Sequence, residues 1–305
     1  MESVLNVGRL RVLRELHLRG TLAAVAEALV YTPSAVSQQL SQLEREAGVP
    51  LLERVGRGVR LTDAARTLVG HTEAVLTRLE AAEADLAASQ PTVRGVLRVA
   101  LFQSVVLELA PPTLTLLDER HPLLQVELVQ RDEDLATSGM LAQEFDVVLG
   151  EEFPGRPHPI RHDVHREDLL RDSLLLALPA HGRWAGLPPA LEELSGAPWA
   201  LDPTDTAMGA WSRDICRAAG FEPIVRFDTP DPLLQAHLVR TGHAVALMPS
   251  MLASRHLAGT RLEALPDDPH RMLYTATRTG RIGHPAVQAF REAIAEVAQS
   301  HRMNS

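Results

Sequence analysis

Lysine is absent from this chain: all 30 basic residues are arginine, which reads most simply as the mark of GC-rich codons. Cysteine is nearly absent too. Cys216 alone excludes an intramolecular disulfide and a multi-cysteine metal site. Aromatic residues make up 4% of the chain, so any core must rest on Leu, Val and Ala. No stretch of about 18 uninterrupted apolar residues exists to span a bilayer. The opening MESVLNVGRLRVLREL lacks the apolar segment and cleavage site of a secretory signal. These absences predict a cytoplasmic protein with no membrane partner. Signatures of common enzyme classes are missing as well: no G-x-S-x-G elbow, no H-E-x-x-H, no Walker loop and no complete G-x-G-x-x-G. The chain therefore reads as a non-enzyme that needs no cofactor.

What is present is 305 residues with 45% apolar content, enough for two or three compact units and too apolar for wholesale disorder. The net charge of −9 is unevenly spread. Residues 1–61 hold eight Arg against six acids (+2), residues 62–90 two against five (−3), and residues 91–305 20 against 28 (−8). A weakly basic head on an acidic body can still meet DNA, because phosphate contacts depend on local charge.

Within the head, Val7, Leu10, Leu13, Leu16 and His17 fall near helical spacing and predict a first helix over Asn6–Arg19. Gly20 stops it, and Thr21 caps a second helix, Leu22–Val30, whose alanines permit close approach. Tyr31 takes the turn. Thr32 and Pro33 then start a third helix, Pro33–Glu46, because threonine accepts from orphan amides and proline forfeits none. That helix buries Val36, Leu40 and Leu43. Its other face presents Ser34, Ser37, Gln38, Ser41 and Gln42, side chains able to bond base edges or phosphates. Such a face alone is no more than a solvated one. Beyond Gly48–Pro50, however, Arg54, Arg57 and Arg60 cluster around Gly56 and Gly58, a hairpin whose guanidiniums can straddle phosphates.

The run G-T-L-A-A-V-A-E-A-L, T-P-S-A-V-S-Q-Q-L-S-Q-L-E-R-E-A-G-V-P-L-L-E-R and G-R-G-V-R-L-T-D-A-A-R, within Leu10–Leu68, resembles the winged helix-turn-helix of LysR-type transcriptional regulators. Val25, Leu52 and Ala65 depart from the family's usual Ala, Phe and Gly, but these residues are apolar or small and should alter packing only slightly. Pro33 and Ser34 replace its usual Gln-Pro on the recognition helix, which alters the bases read. The resemblance implies a DNA-binding set of Thr21, Thr32, Pro33, Ser34, Ser37, Gln38 and Gln42, with Arg54, Arg57 and Arg60 from the wing.

Thr62 caps a long helix to about Ser89. Along it Ala65, Leu68, Thr72, Val75, Leu79, Ala82 and Leu86 alternate by three and four, the seam of a helix that pairs with its copy. An amphipathic helix packed on its own domain would show the same pattern. In the family the corresponding linker helix dimerises, so two heads would read half-sites about one helical turn apart, roughly 34 Å. Residues 90–94 read as a hinge.

From Gly95 strand-like and helix-like segments alternate: Val96–Leu101, Val105–Glu119, Gln125–Gln130, Glu133–Gln143, Asp146–Leu149, then a second series from Leu174–Leu178. Pro198–Leu201, Ala207–Ala219, Ile224–Phe227, Leu233–Thr241 and Ala244–Met248 continue it, and Arg271–Thr277 and Pro285–Gln299 close it. G-V-L-R-V-A, F-D-V-V-L-G, A-A-G-F-E-P and G-H-A-V-A-L-M-P resemble the family's effector domain, with His243 a minor departure. The implied architecture is multidomain: an α-rich winged head (1–61), a linker helix (62–89), and an α/β, two-lobed, periplasmic-binding-protein-like effector domain (95–305). Its first lobe would span about 95–163 and 268–305, and its second about 164–267, with crossings near Arg161–Glu167 and Leu265–Asp268.

In open α/β sheets ligands sit beyond the carboxyl ends of strands. That rule selects Phe102, Gln103, Ser104, Glu151, Glu152 and Phe153 from the first lobe, and Thr204, Asp205 and Thr206 after Pro203 from the second. Helix starts at Ser104 and Thr206 favour a carboxylate, while the nearby acids favour a zwitterion such as an amino acid. The expected function is a sequence-specific regulator whose promoter binding responds to a small molecule between the lobes. It would act as a dimer or tetramer, and through RNA polymerase where it activates. Two other readings stand beside it. One is a cytoplasmic solute-binding module without DNA readout. The other is a metal or thiol sensor using His158, His162 and His165 in a Pro/Arg-rich loop, or Cys216, which as a lone cysteine is more simply structural.

Overall fold

The computed structural model describes residues 5–56, 58–157 and 161–304, with side chains taken to residue 302. Arg57 and His158 lie outside the described residues. The head begins with α1 (Val7–Arg19), where the Asn6 side chain accepts from the Arg9 amide and Gly20 turns left-handed at φ 75° to end the helix. In α2 (Leu22–Ala28) the Thr21 hydroxyl accepts from the Ala24 amide. This helix stops two residues before the end its apolar pattern predicts, because Val30 adopts φ 54° and the Tyr31 amide closes back on the Ala26 carbonyl. A β-branched residue in that region costs about 1–2 kcal/mol, and Val30 is 90% exposed. Next come α3 (Pro33–Ala47) and the antiparallel wing, β1 (Leu52–Val55) with β2 (Gly58–Leu61). Leu13, Val25, Val36, Leu40 and Leu43 close the head's core. The linker, α4 (Asp63–Ala88), is capped by Thr62 and is roughly 39 Å long by helical rise.

The body opens with β3 (Arg94–Leu101), which already starts inside the expected hinge. One helix was expected over Val105–Glu119, but two form, α5 (Gln103–Glu108) and α6 (Ala110–Arg120). Pro111 and Pro112 explain the break: they have no amide to offer and their rings crowd the carbonyls one turn back. Then follow β4 (Leu123–Gln130), α7 (Glu133–Leu141), β5 (Val147–Glu152) and β6 (Val164–Pro179). The second lobe adds β7 (Pro198–Leu201), α8 (Ala207–Ala218), β8 (Ile224–Asp228), α9 (Pro232–Arg240), β9 (Ala246–Pro249), α10 (Ala253–His256) and β10 (Thr260–Ala264). The chain returns through β11 (His270–Arg278) to α11 (Pro285–Asn304).

The main sheet runs β4-β3-β5-β11-β6-β10, with β9 also on β6. Strands β3, β4 and β5 are parallel, and β11 is antiparallel to both β5 and β6. The first ten residues of β6, Val164–Ser173, pair with β11 in the first lobe. From Leu174 onward the same strand pairs with β9 and β10 in the second. The first crossing thus lies at Ser173–Leu174 and not at Arg161–Glu167, and Val164–Ser173 belongs to the first lobe's sheet. Its charged run His165–Asp168 looked like a loop because this half of β6 is a sheet edge, where charges guard against further pairing. The return crossing between β10 and β11 adjoins it: the Leu174 amide donates to the Pro269 carbonyl at 2.8 Å.

The first lobe's apolar cluster gathers Leu97, Val99, Leu149 and, from α11, Phe290 and Ile294. It runs on through Met248, Met251 and Leu252 into the second lobe, so an apolar seam joins the lobes. The second lobe has its own cluster around Leu176, Trp199, Trp211 and Leu247.

Gly209 fixes the start of α8. A Cβ there would lie 1.9 Å from the Pro203 carbonyl oxygen and 2.5 Å from that of Asp202. We expect Gly209→Ala to lower unfolding stability by about 1–3 kcal/mol, the usual range for overpacking. Gly196→Ala, with no atom within 4 Å of its added carbon, should leave the melting temperature unchanged.

Candidate functional site

The nucleic-acid face is built on α3. Thr32 stands at its N-cap, accepting from the Ala35 amide at 3.2 Å and sharing a hydrogen bond with the Ser34 hydroxyl at 2.9 Å. Pro33 occupies the first turn. With Val36, Leu40 and Leu43 buried, Ser34, Ser37 and Gln38 are left exposed on the opposite face, while Gln42 leans on Glu46 at 3.4 Å. Thr21 serves as the α2 cap. In the wing Arg54 is exposed opposite Val59, and Arg60 donates to its cross-strand partner Glu53 at 2.7 Å. One positioning residue was not foreseen. The Glu44 carboxylate accepts from the amides of Leu51 (2.9 Å) and Leu52 (3.0 Å), tying the wing's first strand to α3.

Along α4 the seven seam positions divide. Ala65 and Thr72 are buried within the chain and Leu68 is half-buried, whereas Val75, Leu79, Ala82 and Leu86 are exposed. The first half of the helix serves the head's own core, and the second half keeps an open apolar stripe.

Between the lobes the organising group is Arg271, which sequence reasoning missed. It sits near the start of β11, 3% exposed. Its Nε and Nη2 donate to Asp172 Oδ2 at 2.9 and 2.8 Å, Nη2 also reaches Ser104 Oγ at 2.9 Å, and Nη1 meets Glu151. Asp172 is held in turn by the Ser250 hydroxyl (2.7 Å) and the Met251 amide (2.9 Å) of the second lobe. The guanidinium lies 5.4 Å from the Phe102 ring centre. Phe102, Ser104 and Glu151 of the expected site are therefore brought together around one cation. Gln103 bridges the lobes, donating to Asp231 at 2.9 Å. Glu152 turns instead to Arg166 (2.6 Å), and Phe153 is buried in the second lobe's core against Trp211. Thr204 and Asp205 are exposed, and Thr206 is the α8 cap, accepting from the Gly209 amide.

Asp202, also missed, follows β7 directly, within electrostatic reach of Arg271, and accepts from Gln235 Nε2 at 2.7 Å. Burial raises its carboxyl to about 6 despite that bond, and burial raises Glu151 to about 6 against the pull of Arg271. Each of these acids thus meets a site that resists its charge. Elsewhere, Cys216 is fully buried and burial pushes its thiol up to about 12, which opposes thiolate chemistry. The His162 carbonyl accepts from Thr279 and the His165 ring meets Arg291. Among the described residues no three His, Cys, Asp or Glu side chains gather as metal ligands.

Removing the guanidinium in Arg271→Met should cost about 3–5 kcal/mol by leaving Asp172 buried and unpaired, and adding Asp172→Leu should restore most of it. Equal melting temperatures for the single and double variants would contradict that pairing. A second test uses pH. Glu151 and Asp202 titrate above their unfolded values of 4.5 and 3.8, so the folded chain binds more protons between about pH 4 and 6. Their contribution to stability therefore falls as pH rises through that window. Asp202→Asn should melt higher than the unaltered chain at pH 7.5, with the difference vanishing near pH 4.

Comparison with known proteins places both halves. Residues 7–66 match the family described as bacterial regulatory helix-turn-helix protein, lysR family, and residues 90–299 match the LysR substrate binding domain. The HTH-type transcriptional regulator PtxR of Pseudomonas aeruginosa is 27% identical over 298 residues, 96% of this chain and 93% of that protein. The RuBisCO operon transcriptional regulator of Allochromatium vinosum is 27% identical over 97% of this chain and 98% of its own. Among solved structures, a full-length OxyR from Pseudomonas aeruginosa superposes with a TM-score of 0.66 at 19% identity, covering 95% of each chain. Full-length CbnR complexed with its target DNA gives 0.52 at 21% identity, covering 95% of this chain and 99% of that one. At these identities the structural likeness speaks to fold alone.

Proposed function

The chain belongs to the LysR-type family of bacterial transcriptional regulators, and from that membership we propose a promoter-reading protein whose grip on DNA is set by a small molecule held between its lobes. The observation that carries this is the head itself. A capped helix leaves Ser34, Ser37 and Gln38 exposed beside a wing that carries Arg54 and Arg60. In this reading Ser34, Ser37, Gln38 and Gln42 meet base edges, while Arg54, Arg57 and Arg60 hold phosphates without regard to sequence. Thr21, Thr32 and Pro33 set the helix starts that face the backbone.

Two heads act as one reader if the stripe Val75, Leu79, Ala82 and Leu86 packs on its copy, and lobe-to-lobe contacts would extend the dimer to a tetramer. The effector binds among Phe102, Gln103, Ser104 and Glu151 on one side and Asp202, Thr204, Asp205 and Thr206 on the other, with Glu152 and Phe153 behind. Arg271 is already engaged by Asp172, Ser104 and Glu151, and the acids Glu151 and Asp202 suit a ligand that brings positive charge, as the ammonium of an amino acid does. Its carboxylate would suit the α8 N-terminus. Such a ligand changes DNA binding only by its differential affinity for two arrangements of the lobes. Where the regulator activates, RNA polymerase is the further partner. Named relatives are transcriptional regulators, and in this reading the present chain likewise regulates without catalysing a reaction and works in the cytoplasm.

The unaltered chain should retain random duplex DNA at low salt and release it as salt rises, and the absence of such retention would sink the DNA-binding reading. Arg54→Ala should weaken binding to every sequence and lower the logarithmic salt slope by about one. Gln38→Ala should instead relax preference at particular base pairs, by about 1–3 kcal/mol.

A further inference from the structure

We propose that α1 and α4 dock on the first lobe through a polar latch centred on Arg278 and Glu80, and that β5, β11 and α7 carry movements of the inter-lobe cleft to that latch. Arg278, at the far end of β11, is 7% exposed, and Glu80 on α4 is 8% exposed. Arg278 Nε donates to Glu80 at 2.7 Å, and its Nη1 donates to the carbonyls of Met140 and Phe145, each at 2.6 Å. Gln143 donates to the same carboxylate at 2.9 Å. From α1, Arg14 donates to the Leu141 carbonyl, and Arg19 joins Glu15 (2.8 Å) to Glu144 (2.7 Å). The turn after β11 presses so closely that a Cβ on Gly280 would lie 2.4 Å from the Thr77 carbonyl oxygen and 2.8 Å from Glu80 Cβ.

This junction differs from every other in the molecule. The described apolar clusters lie within the head or within the body, and none of them crosses between the two. The contact also leaves room for solvent. Arg14 is 5% exposed, its Nη1 lies 3.6 Å from Glu15 Oε1, and a cavity of about 20 Å³, enough for a single water, opens beside it, lined also by Glu73, Thr77 and Asp163. A polar contact of this kind is held in balance, because opening it rehydrates its charges and exposes little apolar surface. It can define one pose without making that pose permanent.

Three elements reach from the latch to the cleft. Strand β11 carries Arg271 at one end and Arg278 at the other, roughly 23 Å apart by strand rise. Its neighbour β5 carries Glu151 on Arg271, and Asp146, just before it, accepts from Arg281 at 3.0 Å. Helix α7 takes the Tyr274 hydroxyl on Glu133 near its start and gives the Met140 and Leu141 carbonyls to Arg278 and Arg14 at its end. Paired strands and a packed helix move as one body, so a shift at Arg271 arrives at Arg278. The lever's use by an effector rests on the cleft being the effector site, but the latch does not.

The test places spin labels on the full-length chain at Ser41→Cys in the head and Gln125→Cys in the first lobe. Cys216 is left in place because it is buried, and excess unlabelled chain isolates distances within one subunit. The parent should give one narrow distance. Glu80→Gln, which deletes the charge, and Gly280→Ala, which wedges the linker away, should each lower the ratio of docked to undocked heads by about tenfold. The apolar pair Glu80→Leu with Arg278→Met should keep the narrow distance, which a simple loss of fold could not do. An unchanged distribution in both Glu80→Gln and Gly280→Ala would overturn the latch. A response there, with none to Glu151→Gln at the cleft end, would overturn the lever. Loss of salt-dependent DNA retention by the parent would strike the DNA-binding reading instead and leave the distance result standing.

Discussion

Two charges buried where the chain passes between lobes, Asp172 and Arg271, set the terms for the rest of the body. They stand 99 residues apart in sequence and both lie 3% exposed. Neither is tolerable alone in such a place, so each holds the other and recruits neutral donors and acceptors from both lobes. Ser104 fixes the first lobe's α5 to the pair, and Ser250 and the Met251 amide fix the second lobe. A single strand, β6, passes through the same point and changes partners there. The lobes thus have a defined pivot, and the cleft walls are positioned relative to it.

The molecule has two kinds of junction. Between the lobes an apolar seam continues from one core into the other, and the ion pair adjoins it at Met251. Between head and body the contact is made of arginines, carboxylates and carbonyl groups. Apolar seams penalise separation in proportion to the area exposed, whereas polar ones exchange protein partners for water at little net change. Rearrangement of the head relative to the body is therefore the softer of the two motions.

Features that depend on near neighbours were legible in the sequence. Asn6, Thr21, Thr32 and Thr62 start helices through bonds to amides three residues on, and Gly20 and Gly48 end them through left-handed backbone. The wing's hairpin followed from Gly56 and Gly58. What escaped was what depends on distant partners. Arg271 reads as one more charge before an apolar strand until Asp172 and Glu151 are folded against it. Arg278 meets Glu80 across 198 residues. The two halves of β6 look unlike because one is a sheet edge and the other is flanked on both sides, and that difference exists only after the sheet forms. The break between α5 and α6 is written locally as well, in Pro111–Pro112.

The first lobe is assembled from two pieces far apart in the chain. Strands β3, β4 and β5 need β11, β6 and the packing of α11, whose Phe290 and Ile294 belong to their core. The head's core, by contrast, closes entirely within residues 5–69. During synthesis the two therefore mature at different times. The head can fold within moments of leaving the ribosome, while the lobe that is to govern it waits until residues beyond 285 have been made. At translation rates of about 5–20 residues per second that interval is on the order of tens of seconds. For that time each new copy has a finished reading head and an unfinished regulator.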